Sequence, residues 1–168
     1  PTPVAVSEYY QLDNIPITER QVVEVGAVEW LPDGRLAVAS RRGEIWMVKG
    51  ALGDSAKVQW SRYAHGLHEV LGLAYNKKDG ALYATQRPEV TRIRDLNTDG
   101  VADSFETFCD DWGINGDYHE YAFGSRFDLE GNLWVVLCLT GSGGADPGTP
   151  WRGWALRIDP TGKAEPIC

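Results

Sequence analysis

The sequence predicts an all-β fold, a β-propeller with about three four-stranded blades, from three observations. A tetrapeptide of the form (D/E)-G-x-L occurs as DGRL, DGAL and EGNL, with Gly34, Gly80 and Gly131 spaced 46 and 51 residues apart. Short apolar, strand-like segments flank each tetrapeptide, as they do in a β-hairpin. Four such segments per unit, at a period of about 50 residues, are typical of a propeller blade.

Each predicted blade contains its four strand-like segments in order, within a single domain that covers 1–168. The first blade, at about 22–64, contains AVEWLP, RLAVAS, EIWMVK and VQWSRYA. The second blade, at about 68–110, contains VLGLAYN, ALYATQ, EVTRIRDL and SFETFC. The third blade, at about 119–168, contains YAFGSRFD, NLWVVLCL, WALRIDP and KAEPI. The tetrapeptide turn joins the first and second segments of every blade.

Three blades do not close a ring, because propellers contain about four to eight of them. A lone four-stranded blade cannot bury both of its faces, so blades stack around a common axis. The chain begins without Met and ends at Cys168 inside a strand-like segment. We therefore expect a partial propeller whose remaining blades belong to the same longer chain; a second copy is the alternative. A β-sandwich of about seven to twelve strands fits the strand pattern but does not explain the repeat.

Composition and charge exclude several classes of partner. The chain has 43% hydrophobic and 11% aromatic residues, enough to build a packed core. Its formal net charge is −8, so phosphate backbones and anionic lipid surfaces would repel it. The longest apolar run, LWVVLCL, is far shorter than the roughly 18 residues of a membrane-spanning helix. We expect neither a nucleic-acid partner nor a membrane span.

The three cysteines are Cys109, Cys138 and Cys168, and an odd number leaves at least one thiol outside any internal disulfide. A Cys109–Cys138 disulfide and buried free thiols are equally compatible with the sequence. Spacing along the chain does not decide between them, because a disulfide depends on the distance between the two Cα atoms.

The segment DLNTDGVADSFE at 95–106 has the pattern of a calcium-binding loop. Calcium takes about six to eight oxygen ligands, and a short loop supplies them when alternate side chains point inward. Gly100 provides the sharp turn in the middle of the pattern. The residues predicted to hold the ion through side-chain or carbonyl oxygens are Asp95, Asn97, Asp99, Val101, Asp103 and Glu106.

The flanks of this loop predict strands rather than helices. EVTRIR before the loop is β-branched and alternating, and SFETFC after it is also strand-like. The loop therefore connects the third and fourth strands of the second blade, and we expect bound Ca²⁺ to stabilise it. The alternative is a solvated acidic turn without an ion.

Two His-Glu pairs occupy equivalent positions in successive blades. His68-Glu69 and His119-Glu120 are 51 residues apart, the spacing of the second and third tetrapeptides, and each pair precedes the first strand of a blade. First strands line the central channel of a propeller, so we expect both pairs at the channel entrance. Imidazoles there suit a general base, or a metal site formed with the adjacent glutamates. His65 lies outside this pattern and is interpreted as a strand cap.

The segment YHEYAFGSRFDLEGNLWV resembles the H-x-G-G-x-x-x-F-G-x-D-G-x-L-x-V segment of soluble glucose and sorbosone dehydrogenases that depend on pyrroloquinoline quinone. GLHEVLGLAYNKKDGALYAT is similar to their preceding blade, and GWALRIDPTGK to their following G-x-I-L-R-I-D-P-D-G. The resemblance covers about residues 25–165. From TRIRDLNTDGVADSFETF to WGINGDYHEYAFG the chain more closely resembles the propeller of secreted bacterial proteins known as membrane-bound dehydrogenases, which commonly carry a c-type haem domain.

This resemblance implies a six-bladed propeller that holds the quinone over its channel and oxidises a sugar-like substrate. The family's catalytic base falls on His119, which would take the proton of the anomeric hydroxyl as hydride passes to the quinone. The resemblance also implies a periplasmic or secreted protein and a c-type haem electron acceptor. The residues expected to contact the cofactor are His68, Glu69, Tyr118 and Glu120.

Departures from the family pattern support a second interpretation. Tyr118 stands where the family has an acid, and Glu120-Tyr121 replace glycines. The arginine and lysine that hold the quinone in the family belong to later blades. If Glu120-Tyr121 point into the channel mouth, no quinone fits, and the chain is a non-catalytic calcium-binding propeller that recognises carbohydrate or protein. Arg87 and Arg152 are expected to be solvated or ion-paired.

Overall fold

The computed structural model describes Tyr9 and residues 12–17, 21–139 and 149–168. Over these residues the chain forms three four-stranded antiparallel sheets and a short 3-10 helix at Ser55–Lys57. The predicted all-β, propeller-blade architecture is therefore confirmed. No helix in this part of the chain is long and apolar enough to cross a membrane. The predicted domain also includes stretches that lie outside the described residues, namely 1–8, 10–11, 18–20 and the glycine-rich run 140–148.

Each sheet is a meander in which every strand pairs with the next one along the chain. The first sheet consists of β1 (Val25–Trp30), β2 (Leu36–Ser40), β3 (Ile45–Lys49) and β4 (Gln59–Ala64). The second sheet consists of β5 (Gly72–Asn76), β6 (Ala81–Thr85), β7 (Val90–Arg94) and β8 (Ser104–Cys109). The third sheet consists of β9 (Ala122–Phe127), β10 (Leu133–Leu137), β11 (Ala155–Ile158) and β12 (Ala164–Pro166).

The three tetrapeptide repeats form the turns between the first and second strands of the sheets. Gly34, Gly80 and Gly131 have φ values of 84°, 70° and 95°. Glycine adopts this left-handed region at little cost because it has no Cβ atom. In the third turn the Asp128 carboxylate also accepts hydrogen bonds from the N–H groups of Gly131 (2.9 Å) and Asn132 (2.8 Å). The repeat seen in the sequence therefore marks the start of each second strand.

Two apolar clusters between the sheets form the core. The cluster between the first and second sheets includes Ile45 and Leu82. The cluster between the second and third sheets includes Tyr83, whose ring packs edge-on against Phe108 (4.9 Å) and Phe127 (5.0 Å). Successive side chains of a strand point to opposite faces, so Leu82 and Tyr83 enter different clusters. The second sheet is thus buried on both faces.

The first strands of the three sheets pack side by side, since β5 contacts both β1 and β9. The backbones of β5 and β9 approach so closely that a Cβ atom at Gly72 would overlap the carbonyl oxygen of Gly124. Glycine is needed at Gly72 because of this close approach. The first strands therefore lie on the axial side of the sheets, as in a propeller.

All three cysteines are free thiols. Cys109 is buried, and burial raises the pKa of its thiol to about 11. Cys138 is half-buried and Cys168 is exposed. Of the two alternatives left by the sequence, the structure therefore shows free thiols and no Cys109–Cys138 disulfide, although only one of the thiols is buried.

Candidate functional site at the channel mouth

Strand pairing brings the two His-Glu pairs to the same end of the sheets. The N-terminal end of each first strand pairs with the C-terminal end of the second strand, as Gly72 does with Thr85 and Ala122 with Leu137. The connection before each first strand therefore lies beside the connection after the second strand. We call this end of the sheets the channel mouth, and we define it by Arg41, His68, Glu69, Arg87, residues 117–119 and Tyr121.

Glu69 is the centre of an ion-pair network at the mouth. Its Oε1 lies 3.0 Å from Nη2 of Arg41, and its Oε2 lies 3.2 Å from Nη1 of Arg87. The Nε2 atom of His68 is 3.9 Å from the same Oε2. The hydrogen bond to Glu69 raises the pKa of Arg41 above its usual value. Glu69 has a φ of 49°, a left-handed conformation that is costly for residues with a Cβ atom, so the network holds a strained backbone.

Arg87 connects this network to the third sheet. Its Nη2 donates hydrogen bonds to the carbonyl oxygens of Asp117 and Tyr118, the latter at 3.2 Å. The guanidinium groups of Arg87 and Arg41 lie 5.4 and 5.7 Å from the centre of the Tyr121 ring, within the range of cation–π contacts. The network of Arg41, Glu69 and Arg87 has a formal charge of +1, and the acid Asp117 lies in the same part of the mouth. The two guanidinium groups therefore suit the negatively charged groups of a polar ligand.

His119 presents its imidazole to solvent at the mouth. The residue is exposed, and its ring packs edge-on against the Tyr118 ring with 4.6 Å between the ring centres. Its N–H donates to Oδ1 of Asp117 at 3.3 Å, and its carbonyl oxygen accepts from the N–H of Tyr121 at 2.8 Å. These two bonds involve only main-chain atoms of His119, so its imidazole takes no part in the Glu69 network. No described residue hydrogen-bonds the imidazole, so its nitrogens are available to a ligand.

Glu120 points away from the mouth into the protein. Its side chain is fully buried, and its carboxylate accepts hydrogen bonds from the N–H groups of Asn115 (2.9 and 3.0 Å) and Gly116 (2.8 Å). Its Oε1 is 3.7 Å from Nη2 of Arg152, which is equally buried and donates to the Gly113 carbonyl oxygen at 2.7 Å. Burial lowers the pKa of Arg152, and the Glu120 carboxylate opposes that shift. The role of Glu120 as a cofactor contact stays a prediction.

Of the residues predicted to act on a cofactor or substrate, the structure therefore places four side chains at the mouth: His68, Glu69, Tyr118 and His119. Arg87 and Arg152 are ion-paired, as expected. Sequence reasoning missed Arg41, although a signal was available. Arg41 lies in the connection after β2, and Arg87 lies in the equivalent connection after β6. Aligning the repeat at these two connections would have found the pair of arginines.

The predicted calcium loop connects β7 and β8. Its oxygen-bearing side chains accept hydrogen bonds mainly from the loop itself. The carboxylate of Asp95 accepts from the N–H groups of Asp99 (3.2 Å) and Gly100 (2.8 Å). The side-chain amide of Asn97 donates to Oδ1 of Asp103 at 3.1 Å. The side chains predicted to bind calcium within 95–103 are therefore hydrogen-bonded to other groups of the same short loop.

Glu106, the last residue of the calcium pattern, is engaged elsewhere. Its carboxylate pairs with Arg92 and Arg94 and accepts a hydrogen bond from the Ser104 hydroxyl at 3.0 Å. The hydrogen bonds from Arg92 and then Arg94 lower the pKa of Glu106 to about 2. Across the described part of the chain, at this loop and at the mouth alike, no three His, Cys, Asp or Glu side chains are grouped closely enough to hold a metal ion. Calcium binding would therefore require loop carboxylates to exchange hydrogen bonds for the ion.

Comparison with known proteins identifies the fold. No protein-family model matches the sequence, and no curated protein does. The structure of a proposed oxidoreductase (glucose dehydrogenase) from Thermus thermophilus is similar, with a TM-score of 0.63 and 23% identity over 84% of this chain. A proposed gluconolactonase is also similar, with a TM-score of 0.57 and 17% identity over 86% of this chain. The fold is that of a β-propeller.

The chain spans about half the length of these two structures, 45% of the first and 48% of the second. At such low identity the likeness establishes the fold, and a shared fold does not carry a function with it.

Proposed function

We propose that the protein is a periplasmic or secreted propeller that oxidises a sugar-like alcohol with a pyrroloquinoline-quinone-type cofactor. The observation that carries this proposal is the exposed His119 imidazole beside the network of Arg41, Glu69 and Arg87 at the mouth of a propeller fold. A general base must reach a substrate hydroxyl, and an imidazole open to solvent can do so. The similarity to a structure named as a glucose dehydrogenase supports the substrate class. A c-type haem partner would receive the electrons.

The arginines at the mouth fit the negative charge of an anionic cofactor. Glu120 is buried and therefore does not occupy the mouth. Tyr121 is held by Arg41 and Arg87, and these arginines supply positive charge for carboxylate groups of the ligand. The residues that would hold the cofactor are Arg41, His68, Glu69, Arg87 and Tyr118.

In this mechanism His119 acts as the general base. The quinone, when bound, supplies the acceptor for the substrate's hydride. A ring nitrogen of His119 takes the proton of the substrate hydroxyl. The edge-on contact with Tyr118 orients the imidazole, and the main-chain bonds to Asp117 and Tyr121 position the residue. Because the ring is exposed, it can pass the proton on to water.

The test is quinone binding followed by turnover. Full-length wild type, His119→Ala and His65→Ala are titrated with pyrroloquinoline quinone in excess calcium, and dye reduction is measured with a panel of sugars. His65 is the matched control, because it is an exposed histidine outside the mouth. We expect all three proteins to bind the quinone and His119→Ala alone to lose about 10²- to 10⁴-fold in turnover. Wild-type turnover by His119→Ala would contradict the proposed base.

A second function, recognition of carbohydrate without catalysis, is favoured by one observation. Tyr121 brings an aromatic ring to the mouth, and Arg41 and Arg87 hold it there. A ring in this place reduces the space for a flat cofactor. If the folded, calcium-loaded protein fails to bind quinone but binds sugars saturably in calorimetry, this second function replaces the dehydrogenase.

We also propose that the loop 95–103 binds Ca²⁺ as a structural ion. The donor chemistry fits, because carboxylate and amide oxygens are the hard ligands that calcium prefers. Glu106 would join them only after releasing Arg92 and Arg94. The proposed ligands within the loop are Asp95, Asn97, Asp99 and Asp103 through their side chains and Val101 through its carbonyl oxygen.

Melting temperatures in calcium and in chelator test this site. Calcium at about 100 times its dissociation constant is expected to stabilise the wild type by about 2.7 kcal/mol. Asp95→Ala should lose most of that gain, while Asp110→Ala, an exposed acid outside the loop, should keep it. Glu106→Ala then shows whether Glu106 is a ligand, since only a ligand alters the response to calcium. An undiminished calcium response in Asp95→Ala would exclude the site.

A further inference from the structure

A cavity of about 370 Å³ lies between the second and third sheets at the end opposite the channel mouth. The hairpin turn between β5 and β6 and the turn between β9 and β10 border it, together with the last residues of β5 and β9. These turns are at the far end of the strands from the mouth, because Gly72 pairs with Thr85 at the mouth and Asn76 pairs with Ala81 at the turn. The volume is in the range of small-molecule sites, about 300–1,000 Å³.

Three cationic side chains line this cavity, namely Lys77, Lys78 and Arg126. Lys78 extends from the second sheet over the turn of the third, where its Nζ lies 3.1 Å from the position that a Cβ atom of Gly131 would take. Arg126 pairs through Nη1 with Oε2 of Glu29 at 2.8 Å. Among the residues that the structure describes, neither lysine has an ion-pair partner. Two ammonium groups at the cavity are therefore left without a carboxylate.

The acids nearest to the lysines along the two turns are engaged elsewhere. The Asp128 carboxylate accepts hydrogen bonds from the side-chain amide of Asn132 and from the indole N–H of Trp134, both at 2.9 Å. These bonds, that from Asn132 first, lower the pKa of Asp128 below its usual value. The Asp79 carboxylate accepts a hydrogen bond from the Tyr83 hydroxyl at 2.7 Å. Both carboxylates are thus satisfied by their own sheets, which explains why neither neutralises a lysine.

The rest of the cavity wall includes apolar side chains from both sheets. Ala74 of β5 and Phe127 of β9 line it, and Leu129 stands fully exposed in the turn after β9. The charged residues of the lining are three cations and two acids, Glu29 and Asp128, so their formal charge is +1 in a chain of net charge −8. A ligand with one negative group and a small apolar body would match both parts of this wall.

We propose that this cavity binds a small organic carboxylate. The ammonium groups of Lys77 and Lys78, with Arg126 beside them, hold the carboxylate through charge-assisted hydrogen bonds, and the apolar body of the ligand packs against Phe127. Such a ligand would contact both the second and the third sheet. The site is independent of the chemistry at the mouth, because it lies at the other end of the first strands.

Calorimetric titration of the full-length protein with benzoate tests this site. We expect saturable binding that Lys78→Gln weakens at least about tenfold, because the variant removes a hydrogen bond from a charged donor. Lys49→Gln is the matched control, since it makes the same charge change at an exposed lysine of the first sheet. Benzoate that binds Lys78→Gln as tightly as wild type is bound elsewhere, for instance at Arg41 and Arg87, and overturns the proposal. Equal losses in the two variants would also overturn it.

Two further probes test the class of ligand. Inorganic phosphate carries negative charge without an apolar body, and benzyl alcohol carries the ring without the charge. Each is expected to bind at least about tenfold more weakly than benzoate, since each reaches only one part of the wall. Phosphate or benzyl alcohol that binds as tightly as benzoate would overturn the assignment of a carboxylate with an apolar body. The absence of saturable benzoate binding by the folded wild type would overturn the site itself.

Discussion

The two His-Glu pairs occupy the same place in the repeat, yet their carboxylates lie in different environments. Glu69 is partly exposed at the mouth, adopts a φ of 49°, and bridges Arg41 of the first sheet to Arg87 of its own sheet. Glu120 is fully buried and is bound by main-chain N–H groups and by Arg152. In both cases an arginine from the connection after the second strand of the same sheet partners the glutamate.

The length of the preceding connection explains the difference. Residues 65–71 join β4 to β5 directly, whereas the longer connection 110–121 between β8 and β9 folds back on itself. That fold directs the main-chain N–H groups of Asn115 and Gly116 towards the buried carboxylate, although both residues are themselves exposed. Glu120 provides the acceptor. Equivalent positions in a repeat therefore share their location, while the local chain decides which way a side chain points.

The largest effect should come from removing the buried carboxylate. Glu120→Ala leaves the Arg152 charge buried without its carboxylate partner, so it should lower the free energy of unfolding by about 3–5 kcal/mol. Glu69→Ala removes partly exposed ion pairs and should cost at most about 1 kcal/mol. Urea denaturation of the two variants beside the wild type measures the contrast.

The double variant Glu120→Gln, Arg152→Met is the control for this contrast. It replaces the buried ion pair by neutral groups of similar size, so it should be more stable than Glu120→Ala. Equal losses in Glu120→Ala and Glu69→Ala would show that burial does not distinguish the two glutamates, and the comparison would fail.

The fold was predictable because its signals are local and repeated. The hairpin glycines and the alternating apolar segments predict the strands of each sheet, and the observed strands occupy those segments. The equivalence of the two His-Glu pairs was also visible in their spacing. The direction of Glu120 was not, because it depends on the main-chain N–H groups of Asn115 and Gly116, which carry no side-chain signal.

The networks around Glu69 and Glu106 were not predictable from the local sequence either. Glu106 fills the last position of a calcium pattern, but Arg92 and Arg94 on the preceding strand pair with it across the sheet. Those arginines precede the loop that the pattern describes, so a motif confined to 95–106 could not include them. Arg41 reaches Glu69 from another blade, and only the stacking of the sheets brings them together.

A second contrast lies three residues beyond each pair. Gly72 follows Glu69, and a Cβ atom there would overlap the Gly124 carbonyl oxygen, so Gly72→Ala should cost about 3 kcal/mol. Phe123 follows Glu120 and is 38% exposed, so Phe123→Ala should cost at most about 1 kcal/mol. Urea denaturation of both variants beside the wild type measures the two costs. A loss of stability in Phe123→Ala as large as that in Gly72→Ala would contradict this contrast.

The smallest effect concerns the backbone of Glu69. Glu69→Ala and Glu69→Gly lose the same arginine contacts, but only glycine relieves the left-handed conformation, which costs about 1–2 kcal/mol for residues with a Cβ atom. The glycine variant should therefore be the more stable of the two by about 1 kcal/mol. At Glu120, which has no positive φ, the order should reverse, because glycine there adds only conformational freedom to the unfolded chain. The same order at both positions would show that the strain at Glu69 contributes nothing measurable to stability.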